Sequence, residues 1–178
     1  MSKSTVKKLL QSMTKEDIIE MVLEMYAARK EAKDYLEFYA APDEGAKLEE
    51  YKAIIRQEFC PKGRREPQLR FSVCRKAVAD FKKLGPSADA LAELMVSYME
   101  WATEFTNDYG DMWEQYYDSV ERNFAKTIKH IAANGLWDKY DKRLQQCVKW
   151  SECCGYGFAD EMADIYYDEK MNQDGNIQ

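Results

Sequence analysis

The chain is predicted to be all-α, a single-domain irregular multi-helix bundle or short antiparallel helix-pair stack of about seven or eight helices. Three observations lead there. Apolar residues recur at steps of three and four through nearly every segment, and no segment alternates polar and apolar long enough to make a strand. The 4 Pro and 8 Gly fall mostly between those periodic stretches. Hydrophobic residues at 46% and aromatics at 13% are enough for a packed core, and 178 residues suffice for one. The expected domain is 1–171, with a polar tail over 172–178.

Taken in order, residues 4–12 form a short helix bearing Val6, Leu9 and Leu10. Thr14 and Asp17 stand as a capping-box variant at the start of the next, which carries Ile18, Ile19, Val22, Met25 and Tyr26. Its stripe is interrupted over Arg29–Asp34 and resumes at Tyr35, so the helix either runs on or bends there. Ala41-Pro42-Asp43-Glu44-Gly45 is a break, followed by a helix with Leu48, Tyr51, Ile54, Ile55 and Phe59. Two prolines, Pro61 and Pro67, bound a basic loop. Phe71, Cys74, Val78 and Phe81 place a helix over about 71–83.

Leu84-Gly85-Pro86-Ser87 stops that helix and starts a long one over 88–108, striped by Leu91, Leu94, Met95, Tyr98, Ala102, Phe105 and Tyr109. The turn Asn107-Asp108-Tyr109-Gly110-Asp111 leads to a helix bearing Tyr116, Val120, Phe124, Ile128 and Ile131. It ends at Asn134-Gly135-Leu136, where glycine supplies the left-handed residue of a helix stop. Tyr140, Leu144 and Cys147 mark the next helix, Gly155-Tyr156-Gly157 closes it, and Phe158, Met162, Ile165 and Tyr166 mark the last.

Four stretches carry a likeness: Arg70-Phe71-Ser72-Val73, Ala77-Val78-Ala79-Asp80-Phe81-Lys82-Lys83-Leu84, Phe105-Thr106-Asn107-Asp108-Tyr109-Gly110-Asp111 and Ile165-Tyr166-Tyr167. They resemble the recurring segments of a family of small all-helical bacterial proteins of unknown function, found mostly in Bacteroides-type bacteria. The likeness spans roughly residues 5–168. It implies a helical fold and carries over no activity and no residue role.

Charge is segregated in the middle of the chain. Residues 60–83 hold eight Lys or Arg against Glu66 and Asp80, and residues 84–121 hold nine carboxylates with no Lys or Arg. Lys62, Arg64, Arg65, Arg70, Arg75 and Lys76, extended by Lys82 and Lys83, are therefore candidates for an anion or a partner surface. The competing reading has these cations face the acidic helix that follows and neutralise it within the fold. The helix–turn–helix outline at 71–102 is not a DNA reader, because its second helix carries Asp89, Glu93 and Glu100 and would be repelled by phosphate.

Asn107, Asp108, Tyr109, Asp111 and Glu114 gather oxygen ligands about Gly110, a candidate cation or interaction turn, but without EF-hand spacing. The competing reading is a helix-to-helix turn in which Asp111 caps the next helix. Trp101 and Tyr117 lie off the main stripes and are expected to be exposed, on a second interface or a partner surface.

Catalytic patterns are excluded more readily than found. One histidine, His130, rules out sites that need two, and position 127 is Thr, so no Glu-x-x-His exists. No Gly-rich phosphate loop is present, and no cofactor or metal is expected. The five Cys, in odd number and irregular spacing, are expected reduced and mostly buried. Without an apolar leader or a run of about 20 apolar residues, the chain is expected in the cytoplasm with no membrane partner.

The leading functional reading is a protein-interaction module, binding another protein or itself, without catalysis of its own. The alternative is an RNA- or nucleotide-associated protein using the basic loop 62–76, and an enzyme of unrecognised type stands third. If nucleic acid is the ligand, Arg64→Glu with Arg65→Glu abolishes binding, and wild-type affinity falls steeply with salt. A mobility-shift titration across a salt series measures both.

Overall fold

The computed structural model describes residues 1–175, with side chains described through Gln173. Among the described residues there are nine helices and no strand. The chain divides into two compact units, Met1–Asp43 and Glu44–Gln178.

The first unit holds α1 (Lys3–Ser12), α2 (Lys15–Ala28) and α3 (Lys30–Ala40). Ser2 caps α1, and Thr14 with Asp17 closes the expected capping box on α2, each satisfying the other's backbone N–H. The interrupted stripe resolves as a break: Arg29 is extended at φ −134°, ending α2 and starting α3. Those two helices pack together, and Tyr26 Oη donates to Glu37 Oε1 at 2.8 Å.

The second unit holds α4 (Glu44–Phe59), α5 (Phe71–Lys83), α6 (Ala88–Tyr109), α7 (Glu114–Ala133), α8 (Trp137–Ser151) and α9 (Phe158–Gly175). The periodicity places α5 and the start of α6 where they are found. The expected polar tail from Asn172 is helical as far as Gly175, and its remainder lies outside the described residues.

In this unit α6 is central. Helices α4, α5, α7 and α8 all pack on it, and α9 covers α7 and α8. A helix with neighbours on four sides buries more than one stripe, and α6 buries 12 of its 22 residues, leaving Asp89, Glu93, Glu100 and Glu104 as a polar strip along one side. Ala90, Ala92, Ala102 and Ser97 belong to that buried set, and their small side chains let neighbouring helices approach closely. Two more buried members, Thr103 and Thr106, return their hydroxyls to the helix, on Met99 O at 2.9 Å and Thr103 O at 2.7 Å. The single stripe expected from sequence is therefore only part of the buried surface, and Tyr109, counted in that stripe, is exposed.

At the C-terminal half of α6, Phe59, Phe71, Phe105 and Tyr116 bring four helices into one aromatic cluster. Phe71 meets Tyr116 edge-on at 4.9 Å, and Tyr116 Oη donates to Ala102 O at 2.7 Å. Helix α7 ends as its sequence promised. Gly135 takes φ +64°, Leu136 N donates to Ile131 O and Gly135 N to Ala132 O, which together make a Schellman stop.

The acids that α6 carries toward α4 and α8 are not left in the interior unpaired. Arg143 of α8 reaches Glu93 at 2.5 Å and Glu100 at 2.7 Å, and Lys52 of α4 reaches Glu93 at 2.8 Å. Burial pushes the Glu93 carboxyl up, but Arg143 and Lys52 outweigh it and hold it below its ordinary value. These side chains are a quarter to a third exposed, between the regime of surface pairs and that of buried ones. Arg143→Ala is expected to destabilise the second unit by about 2 kcal/mol, because it strands two carboxylates at once. All four Trp (101, 113, 137 and 150) lie in this unit, so the urea midpoint followed by Trp fluorescence measures the loss directly.

Candidate functional site

The basic loop between α4 and α5 is closed by one buried acid. Glu58, 3% exposed, accepts from Arg70 Nε at 3.0 Å and Nη2 at 2.7 Å, and from the Arg70 backbone N–H at 3.0 Å. Its own carbonyl accepts from Leu69 N at 3.1 Å, and Leu69 sits at φ +53° to allow it. Arg70, a candidate for ligand binding, is thus the pin that holds the loop shut. Lys62 and Arg65 rim a hollow of about 440 Å³ beside this pin, but Glu58 and Glu66 share it, so its charge is mixed. Arg64 stands exposed outside it.

The sequence left two fates open for the cations of 60–83. Lys76 and Lys83 turn to Asp80 within their own helix, and Arg70 turns to Glu58. The carboxylates of α6 take their partners elsewhere: Glu93 and Glu100 from Lys52 and Arg143, and Asp89 from Lys139 at 2.6 Å. Among the described residues Lys62, Arg64, Arg65, Arg75 and Lys82 form no ion pair. Neutralisation of the acidic helix by the basic segment is not how this fold is balanced.

Arg75 and Lys82 instead form one wall of a groove. Helices α5 and α7 run parallel to each other and antiparallel to α6, converging where Phe71 meets Tyr116. Beyond that contact they leave a groove of about 400 Å³ floored by Leu91, Met95 and Tyr98 of α6. Val78 and Ala79 line it from α5; Lys126 and Lys129 stand on the α7 wall, with no carboxylate lining the groove. The four cations Arg75, Lys82, Lys126 and Lys129 are exposed and unpaired among the described residues.

Two other groups define the groove chemically. His130 donates from Nε2 to Ala88 O at 2.9 Å, and Asn134 Nδ2 lies 3.4 Å from its Nδ1. Both ring nitrogens are engaged, and His130 ties α7 to the start of α6. Tyr98 is 2% exposed, and its hydroxyl is the one buried side-chain nitrogen or oxygen without a hydrogen-bond partner among the described residues. The Cys74 thiol, pushed up to about 12 chiefly by burial, lies next to it. Tyr98 therefore contributes its ring to the groove floor, with its hydroxyl enclosed beneath.

The remaining candidates are distributed differently from the expectation. Asp111 accepts from Tyr117 Oη and from Gly155 N at 3.1 Å, while Tyr117 Oη accepts from Met112 N at 2.7 Å. Tyr117 is therefore buried at 2% exposure rather than presented to a partner, and Asp111 latches the α6–α7 turn to the α8–α9 turn rather than capping α7. Asn107, Asp108, Tyr109 and Glu114 are exposed around that latch. Trp101 is half-buried. Among the described residues no three His, Cys, Asp or Glu side chains gather as a metal site. Of the cysteines, Cys74 and Cys147 are buried, Cys60 and Cys153 exposed and Cys154 intermediate, so burial is less general than expected. No helix is long and apolar enough to cross a membrane.

Sequence reasoning missed the α7 half of the groove. The signal was present: Arg122, Lys126 and Lys129 recur at steps of four and three and so share a helix face. It was masked by Glu114, Asp118 and Glu121 earlier in the same helix.

The family of unknown function DUF6155 matches residues 1–163. The chain belongs to that family. No curated protein and no solved structure matches the chain. For this DUF6155 member the match spans every groove residue and the Glu58–Arg70 pin, and the chemistry of those side chains carries the functional argument.

The pin also has a pH signature. Hydrogen bonds from the Arg70 side chain hold the Glu58 carboxyl below its ordinary value against the opposing effect of burial. A depressed carboxylate contributes stability above its unfolded pKa, near 4.5, and loses it as pH falls through the lower folded value. Glu58→Gln is expected to cost about 2 kcal/mol at pH 7. It is also expected to flatten the fall of stability below pH about 4.5. Urea midpoints at pH 7, 5, 4 and 3 check both parts.

Proposed function

We propose that this chain is a protein-interaction module, with no catalysis of its own, whose contact surface is the groove between α5 and α7. One observation carries the reading: four unpaired cations stand around an apolar floor, while every neighbouring acid of α6 that meets a cation is satisfied from α4 or α8. Charge left over in this way is available to a second molecule, and the apolar floor supplies the non-directional part of the affinity. The partner is another protein or a second copy of the chain.

A second reading keeps RNA as the ligand of Lys62, Arg64 and Arg65, which are exposed and unpaired. The mixed charge of their hollow weighs against it, since Glu58 and Glu66 would face the phosphates.

A photo-crosslinking residue placed at Val78 inside the host cell tests the leading reading. The expected result is one discrete protein adduct that is absent when the same residue replaces Tyr167, an exposed side chain on α9. No adduct at Val78, or the same adducts at both positions, would refute it. A nuclease-sensitive adduct would move the assignment to RNA.

A further inference from the structure

The groove has the geometry of an unfilled seat in a four-helix arrangement. Parallel α5 and α7 rest on antiparallel α6, and the space between them lies over Leu91, Met95 and Tyr98, which follow one another at steps of four and three. From Leu91 to Tyr98 the floor runs seven residues, about 10 Å at 1.5 Å per residue, or two helical turns. The charge is arranged on both sides of that floor. Arg75 and Lys82 stand on the α5 wall at i and i+7, and Lys126 and Lys129 stand on the α7 wall at i and i+3.

This two-sided arrangement selects among occupants. A small anion with one head group would meet one wall and leave the other unused. A nucleic-acid backbone would satisfy the cations but leave Val78, Leu91 and Met95 without apolar contact. A helix with one apolar stripe and acidic residues on both flanks would use the floor and both walls together, as flanking charges do beside the seam of paired helices.

We infer that the groove of α5, α6 and α7 takes an acidic amphipathic helix from a partner protein, an inference that rests on the interaction-module reading. The recognition elements are Leu91, Met95 and Val78 for the apolar stripe, and Arg75 with Lys82 against Lys126 with Lys129 for its two acidic flanks. The docked helix completes a local four-helix packing around the outer face of α6.

The probe is a displayed library of random peptides of about four helical turns, roughly 15 residues, selected against the immobilised full chain. Selected peptides are titrated against wild type, against Lys126→Glu with Lys129→Glu, and against Lys142→Glu with Lys149→Glu. The last pair changes net charge equally on the exposed surface of α8, away from the groove. Because all four lysines are exposed and without ion pairs among the described residues, both double variants are expected to keep the wild-type urea midpoint.

The expected outcome is enrichment of sequences with Leu, Ile, Met or Phe at steps of three and four and Glu or Asp on both flanks. Their affinity should fall about tenfold or more on the α7 variant and stay nearly constant on the α8 variant, like charges being repelled only at the groove. No enrichment, enriched peptides without acidic flanks, or equal loss on both variants would overturn the inference. A dimer by sedimentation that dissociates in the α7 variant would also overturn it, in favour of a second copy as occupant. If the Val78 adduct persists while the peptide result fails, the interaction module stands and only the acidic-helix class falls. If both fail, the module reading falls too.

Discussion

The enclosure of α6 is the constraint on which the rest of the second unit depends. A helix covered by α4, α5, α7 and α8 must be narrow where neighbours press, hence Ala90, Ala92, Ser97 and Ala102 among its buried residues. It must also find partners for any charge it carries inward, because an unpaired carboxylate at such a position would be expensive. Arg143 answers that requirement twice and Lys52 once. Having drawn its counter-charges from α4 and α8, α6 needs none from α5 or α7. The cations on those two helices are consequently surplus to folding, and the groove between them inherits a positive rim.

The same constraint explains what sequence could and could not disclose. Local signals were legible because they depend on neighbours in the chain: the Thr14–Asp17 box, the Gly135 stop and the span of α5 all rest on contacts within a few residues. The central place of α6 was not, because periodicity weights large apolar residues and is silent on the Ala, Ser and Thr that mark close packing. Tyr117 was misplaced for a similar reason. Its ring stacks on Phe158 at 4.4 Å and its hydroxyl meets Asp111, partners that no spacing within α7 can reveal.

For the candidate site, half was readable. Residues 60–83 announce themselves as a basic block, yet sequence could not apportion its members. Glu58 decides the fate of Arg70, and Asp80 decides that of Lys76 and Lys83. What remains toward the groove is Arg75 and Lys82, which are seven residues apart and so lie on the same face of α5 as Val78. The opposite wall comes from a helix with acids in its first half and cations in its second, and averaging along α7 hides that division.

The groove is preformed, and the reason lies in three local ties. Glu58 holds Arg70 at the start of α5, His130 holds the end of α7 to Ala88, and Asp111 holds the turn before α7 to Gly155. The Asp111 tie is sterically tight, since a Cβ on Gly155 would stand 3.2 Å from Asp111 Oδ2. Each tie fixes an end of a helix that forms a wall or the floor, so the walls do not have to be ordered when a partner arrives. The ordering cost of docking then falls on the partner's side chains and on any helix it must form. A surface rigid in backbone, apolar at its floor and unpaired in charge at its rim gains from being covered, because the folding of its own chain has left those groups unused.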